Sequence, residues 1–205
     1  MLTAFLHGFI MALGLILPLG AQNVFIFNQG ASQRKFRGVI PVIITASICD
    51  TLLILLAVLG VSMIVLTVPI LQTILFSIGL LFLLYMGWSV WKSSPTNGSQ
   101  QTEAMSPKKQ IMFALSVSLL NPHAILDTIG VIGTSSLNYI GSEKILFTGA
   151  CIIVSCLWFL GLAIAGRALG NFDKTGNFLK IINKVSAIII WCVAIYIAIE
   201  LYRMI

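Results

Sequence analysis

Charged residues are scarce in this sequence. Only 9% of the 205 residues are charged, whereas 59% are hydrophobic and the mean hydropathy is +1.05. Such a composition cannot form a water-soluble surface, so it excludes a soluble globular protein. It predicts an integral membrane protein, in which about six helices of about 20 residues each fill the chain.

Groups of metal-ligating or redox-active side chains are also missing from the sequence. The four cysteines lie within apolar stretches without a C-x-x-C spacing, and the two histidines lie in different stretches. The cysteines are most simply interpreted as small packing residues, and neither a structural metal site nor a cofactor is expected. No nucleophile and base stand out as a pair, so the sequence does not indicate an enzyme.

Six apolar stretches predict transmembrane helices. They run over Leu2–Phe27, Val39–Leu66, Pro69–Trp91, Gln110–Leu137, Ile145–Gly166 and Phe178–Leu201. Barrel strands are about 10 residues of alternating polarity, so these long, uniformly apolar runs favour an all-α bundle. Residues 93–107 resemble a flexible linker, which divides a single membrane domain over 1–205 into halves of about 1–92 and 108–205.

Lysine and arginine are distributed unevenly over the connections. Ten of the 12 follow the first, third and fifth predicted spans. The positive-inside rule then predicts that these connections face the cytoplasm and that both termini lie outside a bacterial-type inner (plasma) membrane. Because the basic residues are dispersed over short loops, they do not indicate nucleic-acid binding.

Two prolines lie inside predicted spans, Pro18 in the first and Pro122 in the fourth. Each removes a helical hydrogen bond, so both spans are expected to kink or break. A polar residue follows each proline by five positions, Asn23 and Asp127 respectively. Interrupted helices at corresponding positions of oppositely directed halves are typical of a 3+3 inverted-repeat transporter with a site near the membrane midplane. The alternative is that each proline merely bends a packed helix.

Two aspartates, Asp50 and Asp127, lie deep inside stretches that contain no lysine or arginine. An ionised carboxylate at the bilayer centre costs about 2.5–3.5 kcal/mol, so such residues usually face a protein interior or a wet cavity. They therefore predict a site for a cation or a proton. The alternative for Asp50 is a structural hydrogen bond to a neighbouring hydroxyl of Thr45, Ser47 or Thr51.

Polar residues near the two prolines can satisfy the backbone groups that a helix break frees. The candidates for this role are Gln22, Asn23, Asn121 and Thr128. Helix–helix hydrogen bonding is the alternative role for Gln22 and Asn23. His123 is either a proton relay or a cap for freed carbonyl groups.

The residues around both prolines resemble signatures of the lysine exporter (LysE) family. The first is Leu17-Pro18-Leu19-Gly20-Ala21-Gln22-Asn23, followed by Asn28-Gln29-Gly30 and a basic loop. The second is Asn121-Pro122-His123 with Asp127-Thr128, in the form of the lysine and arginine exporter branch, which also carries an aspartate where Cys49-Asp50 stands in this chain. The first signature departs at Ala21, where many members have proline.

This resemblance implies export of an amino acid from the cytoplasm, driven by the proton gradient. The two aspartates favour a basic substrate, arginine or lysine. The candidate residues for substrate binding and proton coupling are Asp50, Asp127, Asn121, Pro122, His123, Thr128, Pro18, Gly20, Gln22 and Asn23. An exporter of a neutral amino acid or other small metabolite is one alternative, and a membrane thiol-electron carrier is another. The expected partners are the substrate, protons and lipid, and self-association as a homodimer stays open.

Overall fold

The computed structural model is an assembly of packed helices. It describes residues 1–17, 20–33, 35–60, 69–92, 105–172 and 177–204, and these residues contain no β-strand. The all-α prediction is confirmed over this part of the chain.

The described ranges contain nine α-helices, numbered in chain order. They are α1 (Leu2–Ile16), α2 (Ala21–Ser32), α3 (Ile40–Val58), α4 (Pro69–Lys92), α5 (Pro107–Leu119), α6 (Pro122–Asp127), α7 (Thr134–Ser136), α8 (Gly141–Phe172) and α9 (Asn177–Met204). A 3-10 turn, Phe36–Gly38, precedes α3, and a π-helical segment, Thr128–Gly133, joins α6 to α7. Prolines lie in the first turns of α3, α5 and α6, where a missing N–H leaves no bond unmade.

Several of these helices are long and apolar enough to cross a bilayer. Three qualify individually, over Ile40–Val58, Gly141–Asn171 and Asn183–Arg203, and α1 with α2 qualifies as a bent pair. The apolar part of α4, Phe76–Lys92, is shorter. Length and composition thus support a membrane bundle, whereas the six-span arrangement stays a prediction. Residues 61–68, which include the end of the predicted second span, lie outside the described residues.

Both predicted interruptions are present. Helix α1 ends at Ile16 and α2 begins at Ala21, with an angle of 79° between the two helices. In the fourth predicted span, α5 ends at Leu119 and α6 begins at Pro122. A proline cannot donate the hydrogen bond that would continue a helix through its position, which accounts for the break before α6.

The predicted span boundaries are too narrow at several ends. Helix α2 continues to Ser32 rather than Phe27, and α8 runs over Gly141–Phe172 rather than Ile145–Gly166. Hydropathy detects the apolar part of a helix only. The polar turns beyond it remain helical because the backbone still satisfies its hydrogen bonds internally.

Helix α8 lies at the centre of the packing, against α1, α2 and α3. Its contact with α2 depends on small residues. A Cβ atom at Gly166 would clash with the backbone carbonyl of Phe27, and one at Gly170 would lie 2.5 Å from the carbonyl oxygen of Ala31. The Gly166-x-x-x-Gly170 spacing therefore lets two backbones approach closely, as is common in membrane bundles. Helices α4 and α9 form a second pair.

We expect the Gly166→Ala variant to lose stability. The added methyl group meets a backbone carbonyl, which cannot swing aside, so α2 and α8 must separate at a cost of about 1–3 kcal/mol. The matched control is Gly161→Ala on the same helix, where a Cβ atom has no neighbour within 4 Å. Thermal unfolding of the purified variants in detergent measures the difference, and equal transition temperatures would contradict this packing.

Candidate functional site

A cavity of about 320 Å³ lies where the α1–α2 break meets α3, α6 and α8. Its volume is in the usual range of small-molecule sites. Seven of the ten candidate residues line this cavity. They are Gly20, Gln22, Asn23, Asp50, Asn121, Asp127 and Thr128. Residues predicted from two distant sequence regions are thus brought together with Asp50 from a third.

The other three candidate residues stay predictions. Pro18 lies outside the described residues. Pro122 and His123 occupy the first turn of α6, and their side chains are not among those described.

Asp50 projects from α3 and accepts hydrogen bonds from two neighbouring helices. The Ser155 hydroxyl, on α8, donates to Oδ2 at 2.6 Å, and Gln22 Nε2, on α2, donates to Oδ1 at 3.5 Å, the outer limit for such a bond. Neither partner is one of the hydroxyl residues near Asp50 in the sequence. Neutral donors such as these stabilise a carboxylate without cancelling its charge.

The neighbouring hydroxyls of α3 are placed elsewhere. Thr45 Oγ1 donates to the Pro41 carbonyl of its own helix at 2.7 Å, while Ser47 and Thr51 line a separate apolar groove. Sequence reasoning missed Ser155 because a lone serine in an apolar span does not show which distant residue it faces. A polar residue in the fifth span was the available signal.

Asp127 and Thr128 lie where α6 changes to π-helical geometry. Thr128 Oγ1 donates a hydrogen bond to the Ala124 carbonyl at 2.7 Å. This carbonyl therefore has a partner close to the point where the helix type changes. π-Helical segments are frequent at functional sites, because the wider turn displaces side chains from their regular register. The cavity therefore contains a second carboxylate from a locally irregular helix.

The charged side chains described in the cavity lining are acidic. Among its described lining residues, Asp50 and Asp127 are the charged ones, and there is no lysine or arginine. The lining thus provides carboxylate oxygens that could bind a positively charged ligand.

Asn23 satisfies the end of the broken helix. Its Nδ2 donates to the carbonyl of Ile16, the last residue of α1, at 2.8 Å. Buried backbone acceptors in a membrane need such partners, so this contact stabilises the break. The expectation that a polar residue near Pro18 serves freed backbone groups is met by this bond.

The N-terminus of α2 opens on the cavity. Gly20, at its N-cap, has extended backbone geometry, and no side chain among the described residues caps this end of the helix. The first N–H groups of a helix lack intrahelical acceptors and form the positive end of its dipole. Ala21, Gln22 and Asn23, which carry these groups, all line the cavity. The same site thus contains both carboxylates and an electropositive backbone element.

Asn121 contributes a buried acceptor from the second break. The residue is 9% exposed, occupies the N-cap of α6 and lines the cavity. Its Oδ1 atom has no hydrogen-bond partner among the described residues. Because buried polar atoms nearly always form hydrogen bonds, this oxygen is suited to accept a hydrogen bond from a ligand.

An apolar helical assembly around a cavity that contains two aspartates beside two helix breaks defines a class, the membrane transporters. The model of one transporter family, the LysE type translocators, matches residues 13–201. The chain belongs to the LysE type translocator family. It is a transporter and not an enzyme, and the resemblance found in the sequence is confirmed.

Relatives cover nearly the whole chain. A Bacillus subtilis protein with the name "Putative amino-acid transporter YisU" is 54% identical over 201 residues, which are 98% of this chain and 91% of the relative. Arginine exporter protein ArgO of Serratia proteamaculans is 31% identical, with 97% of each chain covered. Its namesake in Shigella flexneri is 32% identical over 97% of this chain and 94% of its own. No solved structure matches the chain.

The contact between Asn23 and Ile16 can be tested by stability. The Asn23→Ala variant leaves a partly buried carbonyl group without this donor, which we expect to cost about 1–3 kcal/mol. Asn138→Ala, at an exposed asparagine, is the control and should lie within about 0.5 kcal/mol of the wild type. Thermal unfolding in detergent compares them, and an unaffected Asn23→Ala protein would show that the break does not need this bond.

Proposed function

We propose that this protein exports a basic amino acid, arginine or lysine, across the bacterial inner membrane in exchange for protons. One observation carries the proposal. Two aspartates line a single cavity whose described lining contains no lysine or arginine. A substrate with positive charge would bring to these carboxylates a cation that the described lining itself does not provide.

The substrate's own charges fit the distribution of polar groups in the cavity. A basic amino acid carries an α-ammonium group, a carboxylate and a cationic side-chain end. Asp50 and Asp127 would bind the cationic groups, and the α2 N-terminus would bind the carboxylate. The Oδ1 atom of Asn121 would accept one of the remaining N–H donors.

The relatives support amino-acid export and lend weight to arginine. The ArgO proteins are named arginine exporters and match almost the whole chain, whereas the name of YisU specifies an amino acid without saying which. A neutral amino acid carries one cationic group for two aspartates, whereas a basic amino acid carries two, which makes the neutral substrate the weaker candidate.

Helix contacts support a 3+3 inverted repeat. The first half would contain α1 with α2, then α3, then α4, and the second would contain α5 to α7, then α8, then α9. Helix α8 packs against α1 and α2, and its counterpart α3 packs against α5 and the π-helical segment. Helices α4 and α9 pack against each other, as do α3 and α8. Exchanging the halves therefore reproduces the principal contacts.

Contacts at the two ends of the bundle support the proposed orientation. The Met1 ammonium group pairs with Glu143 at 2.7 Å, near the start of α8, and Arg167 donates to the Gln33 carbonyl at 3.5 Å near its other end. The N-terminus thus lies opposite the end that carries most basic residues. By the positive-inside rule the basic end would face the cytoplasm.

Proton exchange would offset the electrical cost of export. Moving one positive charge outward against the membrane potential costs about 2.3 kcal/mol per 100 mV. A proton entering for each monovalent cation that leaves cancels this charge movement. A cavity aspartate is suited to the exchange, because burial favours the neutral acid while a bound cation favours the carboxylate. Substrate and proton would then bind to the same carboxylate in turn.

Removing either cavity charge should abolish basic amino-acid export. In cells or vesicles loaded with labelled arginine or lysine, we expect Asp50→Asn and Asp127→Asn each to lower the initial export rate at least about 100-fold, equivalent to about 2.7 kcal/mol. The control is Glu143→Gln, which makes the same charge change at an exposed residue outside the cavity. Undiminished export by both aspartate variants at normal membrane abundance would refute the proposal.

Substrate choice separates the proposed function from its alternatives. Cells that produce the wild-type protein should resist canavanine, an arginine analogue, and should show no protection against excess threonine. Protection against threonine alone would indicate a neutral amino-acid exporter. A variant without Cys49, Cys151, Cys156 and Cys192, all of which are free thiols, should keep its activity, whereas a thiol-electron carrier would lose it.

Proton coupling can be tested in sealed vesicles that contain purified protein. With the membrane potential clamped at zero, an imposed pH gradient should drive arginine uphill toward the acidic compartment. The gradient should have no such effect on vesicles with Asp50→Asn protein. Arginine flux that is independent of the gradient would remove the antiport mechanism while leaving export itself intact.

A further inference from the structure

We propose that Ser155 is a positioning residue for substrate binding, which holds the Asp50 carboxylate in place from the opposite half of the protein. The inference rests on the proposed function and adds a residue to it. Ser155 is 3% exposed, lines the cavity and lies in the middle of α8.

The hydrogen-bond geometry distinguishes Ser155 from Thr148 and Ser77. Hydroxyl groups in helices usually bond to a carbonyl of the preceding turn. Thr148, on the same helix, does so with Lys144 at 2.7 Å, as does Ser77 with Thr73 at 2.8 Å. Ser155 instead donates across the helix interface to Asp50 at 2.6 Å. A short bond to a carboxylate oxygen is of the charge-assisted, stronger kind.

The two partners occupy corresponding places in the proposed repeat. Pro18 and Pro122 are 104 positions apart (122 − 18), and Asp50 and Ser155 are 105 apart (155 − 50). Ser155 therefore matches Asp50 to within one residue. A contact between corresponding positions lies close to the axis that relates the halves.

This position has a consequence for the transport cycle. A contact near the symmetry axis changes least when the two halves exchange their arrangements to alternate access. Asp50 would therefore keep its bond to Ser155 in both states. The longer contact from Gln22, at 3.5 Å on the half-helix α2, is the one that would change. Ser155 thereby fixes one carboxylate oxygen and leaves the other to exchange partners.

The test compares three variants in an export assay with labelled arginine, normalised to protein in the membrane. Ser155→Ala should raise KM about tenfold, the effect of losing one hydrogen bond to a charged group, while the maximal rate changes less than about twofold. Ser155→Thr keeps the hydroxyl and should restore KM to within about threefold of wild type. Thr148→Val removes a hydroxyl that bonds only within α8 and should leave KM unchanged.

Different failures have different meanings. An unchanged KM in Ser155→Ala, or lower membrane abundance with unchanged KM, would overturn the positioning role and leave the proposed function standing. A raised KM in Ser155→Thr as large as that in Ser155→Ala would also overturn the role, because the hydroxyl would then not be the cause. A wild-type protein that exports neither arginine nor lysine would overturn the proposed function and this inference with it.

Discussion

The need to accommodate carboxylates within an apolar bundle is the constraint on which the site depends. Lipid offers no hydrogen bonds, so Asp50 must obtain its partners from neighbouring helices. Ser155 and Gln22 provide them from α8 and α2. Both donors are neutral, so the negative charge of Asp50 remains available to a ligand. The arrangement therefore stabilises the carboxylate without placing a cation beside it.

The helix breaks place polar backbone and side-chain groups beside these charges. The first break directs the N-terminus of α2 toward the cavity, and Asn23 bonds to the carbonyl of Ile16 at the end of α1. Close backbone contact at Gly166 keeps α2 against α8, which also carries Ser155. Packing at the basic end of the bundle and the geometry of the acidic site are therefore linked through one long helix.

Much of the candidate site could be predicted because its signals are local. A proline interrupts a helix wherever its neighbours are, and an aspartate in an apolar stretch is costly at any position in a bilayer. These two rules identify the interruptions beside Ala21 and Pro122 and the two acidic residues of the cavity. Span limits were less accurate, because hydropathy does not report helical turns that continue into polar sequence.

The sequence by itself determined the membrane class, the all-helical architecture, the family and most of the polar residues that line the cavity, since composition and short motifs carry that information. Only the tertiary structure decided which residues share the cavity and that Ser155, rather than a hydroxyl on α3, bonds to Asp50. It also decided the π-helical turn after Asp127. The physical reason is that these features depend on how helices lie against one another, and no local motif connects partners that are 105 residues apart.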